Sequence, residues 1–481
     1  MIKKKSLNKN FIVASLYQVT TMLIPIFTVY YITRILGADR IGAFSYSTSI
    51  CSYFVIASTL GFYSYGQREI AFYQDNPAEY SRVFKELQLL RAVITPTILV
   101  VYFIYIATLG RDKILLLILS INIVNSFMDI SWFYAGLEEF QKISWRSISI
   151  KLLYVISIYT FVKSKSDFYL YCFIEVLHVL AISMSLWIGI KKYLVPTAKL
   201  NWTRHFKPVI ALFIPSLAIQ LYTVLDKSMI GFFSSQSYNE NGYYELAQNL
   251  VKAFLVLSTT MGSVSAPRIS FAIARNDYTE MRTRLYNSYR FVWATAIPLM
   301  IILNGITSRI VPLYYGQGYK KVAELIHLFS PLILAIGLSN VSGIQYFIPK
   351  NLIKIYTASL ITGAVINLIL NLLFIPHFYS IGATVASVIA EWSVTICQLV
   401  MVIKLKELKI THIFHISIRY WICGIILSAF TYYLNKVLPF SISGVIAMII
   451  LLLVCYLILL LISRDKYVLS ILKRTIRKGK N

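Results

Sequence analysis

The sequence predicts an all-α polytopic membrane protein, with about fourteen transmembrane helices in two pseudo-symmetric six-helix lobes plus two C-terminal helices. Three observations predict it. The 481 residues are 58% hydrophobic and 14% charged, with a mean hydropathy of +0.68, too apolar for a water-soluble multidomain chain. Apolar stretches long enough to cross a ~30 Å hydrocarbon core, about 17 to 25 helical residues each, recur from one end to the other. These stretches lack strand-like alternation and are about twice as long as a barrel strand, which argues against an outer-membrane barrel.

The first stretch, 11–33, follows Lys3, Lys4, Lys5 and Lys9. It is too long for a signal peptide and lacks a small-residue cleavage site, so it is expected to stay as the first helix. The N-lobe, residues 1–207, continues through 41–62, 88–109, 114–135, the short 147–162, and 168–190. The basic loop from Lys191 to Pro208 reads as the seam between lobes. The C-lobe, residues 208–403, holds 209–233, 245–267, 288–310, 322–346, 355–375 and 381–403. Residues 404–481 add 417–435, 441–463 and a basic cytoplasmic tail. Each lobe opens with a proline-containing helix, at Pro25 and Pro215, and reaches a glycine-aromatic start at Gly42-Ala43-Phe44 and Gly242-Tyr243-Tyr244. That positional echo is the reason for reading two repeats. Mixed charge at helical spacing around Pro77 to Leu87 and Asp277 to Tyr286 predicts short amphipathic helices at the membrane surface.

The net charge of +26 invites a nucleic-acid reading, but its distribution answers otherwise. With both termini in the cytoplasm, about 34 Lys and Arg fall in cytoplasmic segments against about 10 outside, the bias of the positive-inside rule. Most of the basicity therefore sets orientation, with membrane lipids as neighbours and no nucleic-acid partner. Arg68, Arg82, Lys85 and Arg91 form one such cytoplasmic cluster. Lys227 and Lys252 fit no loop.

Several chemistries find no support. Cys51, Cys172, Cys397, Cys423 and Cys455 are scattered through apolar stretches, with neither disulfide nor metal spacing. His412 and His415 lack co-ligands nearby. No nucleotide, serine-hydrolase or zinc-protease motif occurs, so no cofactor, no metal and no enzymatic activity are expected. The external connections are too short to hold a catalytic domain, which counts against a membrane-embedded glycosyl polymerase.

The informative anomaly is Asp226-Lys227, an acid and a base inside the stretch 209–233. A charge at membrane depth costs about 2.5 to 3.5 kcal/mol on insertion scales, so it normally faces a partner or a wet cavity. At 1.5 Å rise per residue, Lys227 and Lys252 lie at one level, roughly 10 Å below the outer surface. Two ammonium groups there, with Asp226, Glu245, Gln248 and Asn249 nearby in sequence, predict an anion pocket suited to phosphate. Asp129, Glu175 and Glu391 are the other acids near membrane depth, and Glu175 with His178, at i,i+3, reads as either a proton-sensitive pair or a structural one. A multidrug antiporter would need a carboxylate-lined cavity, which the paired lysines oppose.

The segments Tyr31-Ile32-Thr33-Arg34-Ile35-Leu36-Gly37-Ala38, Tyr65-Gly66-Gln67-Arg68-Glu69-Ile70-Ala71, Leu225-Asp226-Lys227 to Gly231, Gly242-Tyr243-Tyr244, Ala266-Pro267-Arg268-Ile269-Ser270, and Ile381-Gly382-Ala383-Thr384 with Glu391 occur in this order along nearly the whole chain. As a set they resemble Wzx-type oligosaccharide repeat-unit flippases, of the polysaccharide-export branch of the multidrug/oligosaccharidyl-lipid/polysaccharide exporter superfamily. The resemblance implies a two-lobed fourteen-helix fold, alternating access, and an undecaprenyl-pyrophosphate-linked oligosaccharide as cargo. It also implies a polysaccharide polymerase and glycosyltransferases of the same pathway as partners. Lys227 and Lys252, with Arg34 and Arg68, match its substrate-contacting cations. Asp226, Glu245, Glu175 and Glu391 are left as coupling or gating candidates. A lipid II flippase carries the same pyrophosphate-lipid handle and is the nearest alternative, ahead of a multidrug antiporter.

Overall fold

The computed structural model describes residues 7–197, 200–234 and 238–465, with some side chains left out inside α1, α8 and α9, and its described residues contain no strand. The basic tail beyond Asp465, Lys199, the N-terminal lysines and the side chain of Pro215 lie outside the described set. Packing divides the chain into two compact units, Met1–Gly242 and Tyr243–Asn481.

The first unit contains α1 (Leu7–Thr59), α2 (Phe62–Phe72), α3 (Pro77–Thr108), α4 (Lys113–Met128), α5 (Ser131–Gly136), α6 (Phe140–Phe161), α7 (Phe168–Trp187) and α8 (Phe206–Phe233). Helix α1 packs against α4, α6 and α8, and α4 against α7. The seam-based lobe ended at 207, whereas by packing α8 belongs with α1 and the division falls in the first turn of α9 (Asn239–Ala274). The second unit continues through α10 (Tyr278–Tyr314), α11 (Lys320–Phe329), α12 (Leu332–Asn340), a π-helical segment Val341–Phe347, α13 (Ile353–Lys404), α14 (Ile410–Val437) and α15 (Ile442–Ile462). Here α10 packs on α14, α15 and α12, and α12 on α13.

Among the described residues, ten helical segments are long and apolar enough to cross a membrane. Two of them, Leu23–Phe72 and Ile353–Leu405, run 50 and 53 residues. At 1.5 Å per residue that is about 75 Å, more than twice a ~30 Å core, and each bends at a residue with left-handed φ. The bends are Gly37 (φ 78) in α1 and Tyr379 (φ 47) in α13, three residues after Pro376. They fall between the expected stretches 11–33 and 41–62, and between 355–375 and 381–403. Helices α6 and α8 coincide with two further expected stretches without being among the ten. The large apolar side chains left exposed, among them Ile446, Ile450, Val454 and Leu457 of α15, form faces that water would not tolerate. This is a multi-pass membrane protein.

Local chemistry sets the helix starts. Asn76, followed by Pro77, accepts from the Glu79 N–H at 3.3 Å, and Asp112 accepts from Leu115 N–H at 3.0 Å. Asp277 caps α10 through the Glu280 N–H at 2.8 Å. The segments around 77–87 and 277–286 are not separate surface helices. Each is the first part of a long helix, because its cap is followed by an unbroken helical run into the apolar stretch.

Two contacts hold the first unit together. Gly42 of α1 packs so closely on the turn before α9 that an added Cβ would lie 1.8 Å from the Tyr238 carbonyl oxygen and 2.8 Å from Gly242 N. A Cβ on Gly242 would lie 2.1 Å from the Ala38 carbonyl oxygen. The two glycines read as repeat counterparts thus meet face to face, a close approach that small residues permit in membrane helices.

The second contact is centred on Glu86 of α3, whose side chain is fully buried. Its carboxylate accepts from Asn201 N–H at 2.6 Å, Arg82 Nε at 3.1 Å, Arg204 Nε at 2.8 Å and His205 Nε2 at 2.8 Å. His205 Nδ1 lies 2.8 Å from the Tyr65 hydroxyl of α2. Burial pushes the His205 imidazole below its ordinary value while Glu86 pulls it back up. A neutral ring fits both neighbours, donating to the carboxylate and accepting from the phenol. The loop leading to α8 is thereby fastened to α2 and α3.

Gly42→Leu is expected to remove folded protein from detergent extracts, since overpacking against backbone costs about 1 to 3 kcal/mol or more. Size-exclusion profiles of a fluorescent fusion measure this. Glu86→Ala is expected to destabilise by about 2 to 4 kcal/mol in thermal melts, below the ~3 to 5 of a fully buried pair because Arg204 is partly exposed. Because the folded His205 resists protonation, its contribution is fully present above the ordinary histidine value of about 6.5 and is lost as pH falls from there through the lowered folded value. His205→Gln should flatten that acid-side decline in the same melts.

Candidate functional site

The Asp226-Lys227 pair splits between two environments, because adjacent helical positions point in different directions. Asp226 is 3% exposed, and its charge acts on the Tyr53 hydroxyl of α1. Lys227 is half-buried. The next residue, Ser228, shares a 2.6 Å hydrogen bond with the Tyr53 hydroxyl, and Asn241 Nδ2 donates to the Lys227 carbonyl at 2.9 Å. Gly231 lies under the Tyr46 ring, which would sit 2.2 Å from an added Cβ. Arg111 donates to the carbonyls of Gly231 at 3.1 Å and Phe232 at 3.5 Å, capping the end of α8. The segment Leu225 to Gly231 is therefore fixed on α1 by Tyr53 and Tyr46, with the acid turned inward and the lysine partly open.

On α9, Glu245, Gln248, Asn249 and Lys252 occupy positions i, i+3, i+4 and i+7, one face of the helix. Asn249 Nδ2 donates to Glu245 Oε1 at 2.9 Å, and Lys252 Nζ donates to Gln248 Oε1 at 2.8 Å. Gln248 continues to the Tyr244 hydroxyl at 3.4 Å, which shares a 3.3 Å hydrogen bond with Ser387 of α13. Asn249 and Lys252 are exposed. This polar stripe carries one ammonium group into the apolar stretch 245–267 of α9. Lys227 belongs to the first unit and Lys252 to the second.

The remaining expected residues take separate places. Arg34 is exposed, bonded to the Tyr30 carbonyl at 3.3 Å and stacked 3.9 Å over the Tyr30 ring. Arg68 is exposed and pairs with Glu69 at 3.3 Å, a surface pair of small energetic weight. Glu175 and His178 do meet, at 3.8 Å, together with Tyr154 and Tyr171. Glu391 is half-buried and acts electrostatically on Tyr356, one half of α13 upon the other.

Arg91, read from sequence as a topology charge, and two further basic residues, Arg309 and Lys151, bind within the protein. Arg91 is 3% exposed and donates to the Asp129 carbonyl at 2.9 Å, to Gln88 Oε1 at 2.9 Å and to the Ser126 carbonyl, at the break between α4 and α5. Arg309 is 6% exposed and bonds Asn435 Oδ1 at 2.7 Å and the Pro439 carbonyl at 2.8 Å, closing the end of α14. Lys151 of α6 reaches Thr21 Oγ1 of α1 at 3.0 Å. Their positions near the ends of apolar stretches resemble loop charges. The one signal available was the Asp129 break opposite Arg91.

Comparison with known proteins agrees with this architecture. Residues 7–273 match the model of the family described as polysaccharide biosynthesis protein. The "Putative O-antigen transporter" of Escherichia coli (strain K12) is 24% identical over 411 residues, 83% of this chain and 97% of that protein. The "Probable low-salt glycan biosynthesis flippase Agl15" of Haloferax volcanii is 22% identical over 182 residues, 37% of each chain. Among solved structures, the lipid II flippase MurJ in an inward closed conformation superposes with a TM-score of 0.71 at 17% identity, covering 94% of this chain and 99% of that one. An inward-facing multidrug transporter of the MATE family gives 0.59 at 12% identity, covering 79% and 93%. These two likenesses concern the fold. The matched region spans more than half of the chain, from the start of α1 past the polar stripe of α9. The chain belongs to the polysaccharide biosynthesis protein family.

Proposed function

We propose that this protein is a flippase that carries an undecaprenyl-pyrophosphate-linked oligosaccharide repeat unit from the inner to the outer leaflet by alternating access, for surface polysaccharide assembly. Family membership and a relative that bears the name of an O-antigen transporter and is covered over 97% of its length support the cargo class. The observation that carries the reading is the presence of Lys227 and Lys252 in apolar helices of a flippase-like fold.

The chemistry follows from charge. A lysine ammonium held in a site of low dielectric attracts a pyrophosphate as a point charge, and the half-buried Lys227 and the exposed Lys252 are the groups for that task. Gln248 and Asn249, with Glu245, supply hydrogen-bonding groups beside Lys252 for sugar hydroxyls. Arg34, exposed three residues before the bend at Gly37, and Arg68, exposed near the end of α2, serve arrival and departure of the anionic headgroup. Asp226, buried beside Tyr53 and Ser228, sets the position of Lys227, and Glu391 lies in the bent helix α13 where gating motion would be felt. The lipid tail stays in the bilayer while the headgroup crosses. With both termini cytoplasmic, an inside-negative potential favours outward movement of the anion by about 2.3 kcal/mol per charge per 100 mV. Membrane lipids surround the carrier, and the polymerase and glycosyltransferases of the pathway act on either side of it.

A lipid II flippase shares the pyrophosphate handle, and its support is likeness of fold alone. A drug antiporter is disfavoured by ammonium groups where cationic drugs require carboxylates.

Lys227→Ala and Lys252→Ala are each expected to leave membrane insertion intact and to cut surface polysaccharide at least tenfold, with Lys→Arg retaining more export than Lys→Ala. Immunoblots of polysaccharide against protein level measure this. Normal polysaccharide with both lysines removed sinks the cationic role. In liposomes, labelled polyprenyl-pyrophosphate oligosaccharide should become accessible on the far side with wild-type protein, and labelled lipid II should not outcompete it.

A further inference from the structure

The first unit holds a half-buried acid, Glu175, that the flipping of an anion does not need. Glu175 lies in the middle of α7, in the apolar stretch 168–190. Its Oε1 accepts from the Tyr154 hydroxyl of α6 at 2.5 Å and from the Tyr171 hydroxyl at 3.1 Å. Its Oε2 is 3.8 Å from His178 Nδ1, a buried nitrogen with no hydrogen-bond partner. The His178 ring lies on the Tyr154 ring with centroids 4.1 Å apart, and Thr28 of α1 reaches the Tyr154 hydroxyl.

A purely structural carboxylate at this depth would be expected to pair with a permanent cation. Among the described residues, the basic group within 4.0 Å of Glu175 is an imidazole, which carries no permanent charge. Lys151 lies further along α6, bonded to Thr21, and acts on His178 only at longer range. Cys172 is the remaining titratable neighbour on α7, with Arg40 of α1 and Asp112 before α4 beyond it. Both phenolic hydrogens are directed at the carboxylate, so a metal cation would have to displace them, whereas a proton needs only a lone pair.

We propose that Glu175, His178, Tyr154 and Tyr171 form a proton-binding site that couples transport to a proton gradient. The coupling rests on the flippase reading; the site itself does not. With the carboxylate charged, the Tyr154 hydroxyl donates to Glu175. When Glu175 takes up a proton, that acceptor weakens and the hydroxyl turns toward Thr28. Thr28 sits three residues after Pro25, its own hydroxyl bonded to the Ile24 carbonyl at 3.2 Å, in a helix bent again at Gly37. Protonation thereby reaches α1, the helix against which α6 and α8 pack and through which Lys227's segment is fixed.

The test has two readouts. Infrared difference spectra of purified full-length protein, stepped in pH at fixed ionic strength, should show a protonated carboxyl band that titrates in wild type and disappears in Glu175→Gln, a near-isosteric change that keeps an acceptor. Tyr154→Phe should shift the midpoint of that band by about one pH unit, the scale of one hydrogen bond to a charged group. Identical spectra in wild type and Glu175→Gln overturn the site. A band that responds equally to added sodium chloride at constant pH overturns a proton in favour of a metal cation. In liposomes, a pH gradient should raise the wild-type flipping rate of labelled polyprenyl-pyrophosphate oligosaccharide at least fivefold, and Glu175→Gln should remove that stimulation while keeping gradient-free flipping. Equal stimulation in both overturns coupling through this site. Absence of any wild-type flipping with a titrating band intact counts against the flippase reading and leaves the site standing.

Discussion

A polar group carried away from water into an apolar chain has to find its partners within the protein, and in this chain the partners stand where helices end or bend. Arg91 supplies the donors that the carbonyls of Ser126 and Asp129 lose at the break between α4 and α5. Arg309 does the same for the end of α14, and Arg111 for the end of α8. Glu86 works in the opposite sense, gathering four donors from α3 and the loop before α8. An unmet backbone group or charge in such surroundings costs several kcal/mol, so each of these junctions is held in one arrangement.

Close helix contact is the second requirement, and small residues meet it. Gly42 and Gly242 let the second half of α1 touch the start of α9, and in the second unit Gly305 of α10 leaves room for Thr431 of α14, whose methyl would lie 2.0 Å from an added Cβ. Bends occupy the same helices. Gly37, at φ 78, adopts a conformation that side chains resist, and it stands between the α1 segment that carries Thr28 and the segment that carries Tyr46 and Tyr53. A helix bent there can rotate one half while the other keeps its seat on α8.

The functional residues carry both signs. Lysines stand in the helices for which the anionic cargo is proposed, with carboxamides and Glu245 beside one of them, whereas Asp226 is buried and Glu175 is half-buried among phenols and an imidazole. This arrangement suits a carrier of an anion whose movement is tied to a proton. Beside Lys252 the Glu245 carboxylate accepts from Asn249, while the Glu175 carboxylate, away from either lysine in sequence, is the one proposed to take up and release a proton.

Hydropathy and charge bias were sufficient to determine that this chain is an all-helical membrane protein and where its apolar stretches lie, because burial in lipid acts on each segment separately and leaves a local mark. The spacing of Glu245, Gln248, Asn249 and Lys252 was equally legible, since a single helix fixes which of its own residues share a face. Contacts between distant segments left no such mark. The seam-based lobe boundary at 207 differs from the packing division after Gly242 because the close fit of α8 on α1 depends on rings and glycines far apart in sequence. Arg91 read as a topology charge because position alone does not reveal a carbonyl waiting at a helix break 35 residues away. Asp226 and Lys227 are neighbours in sequence and yet face different surroundings, and only the tertiary structure, by fixing the rotation of α8 against Tyr46 and Tyr53, decided which of the two is turned inward.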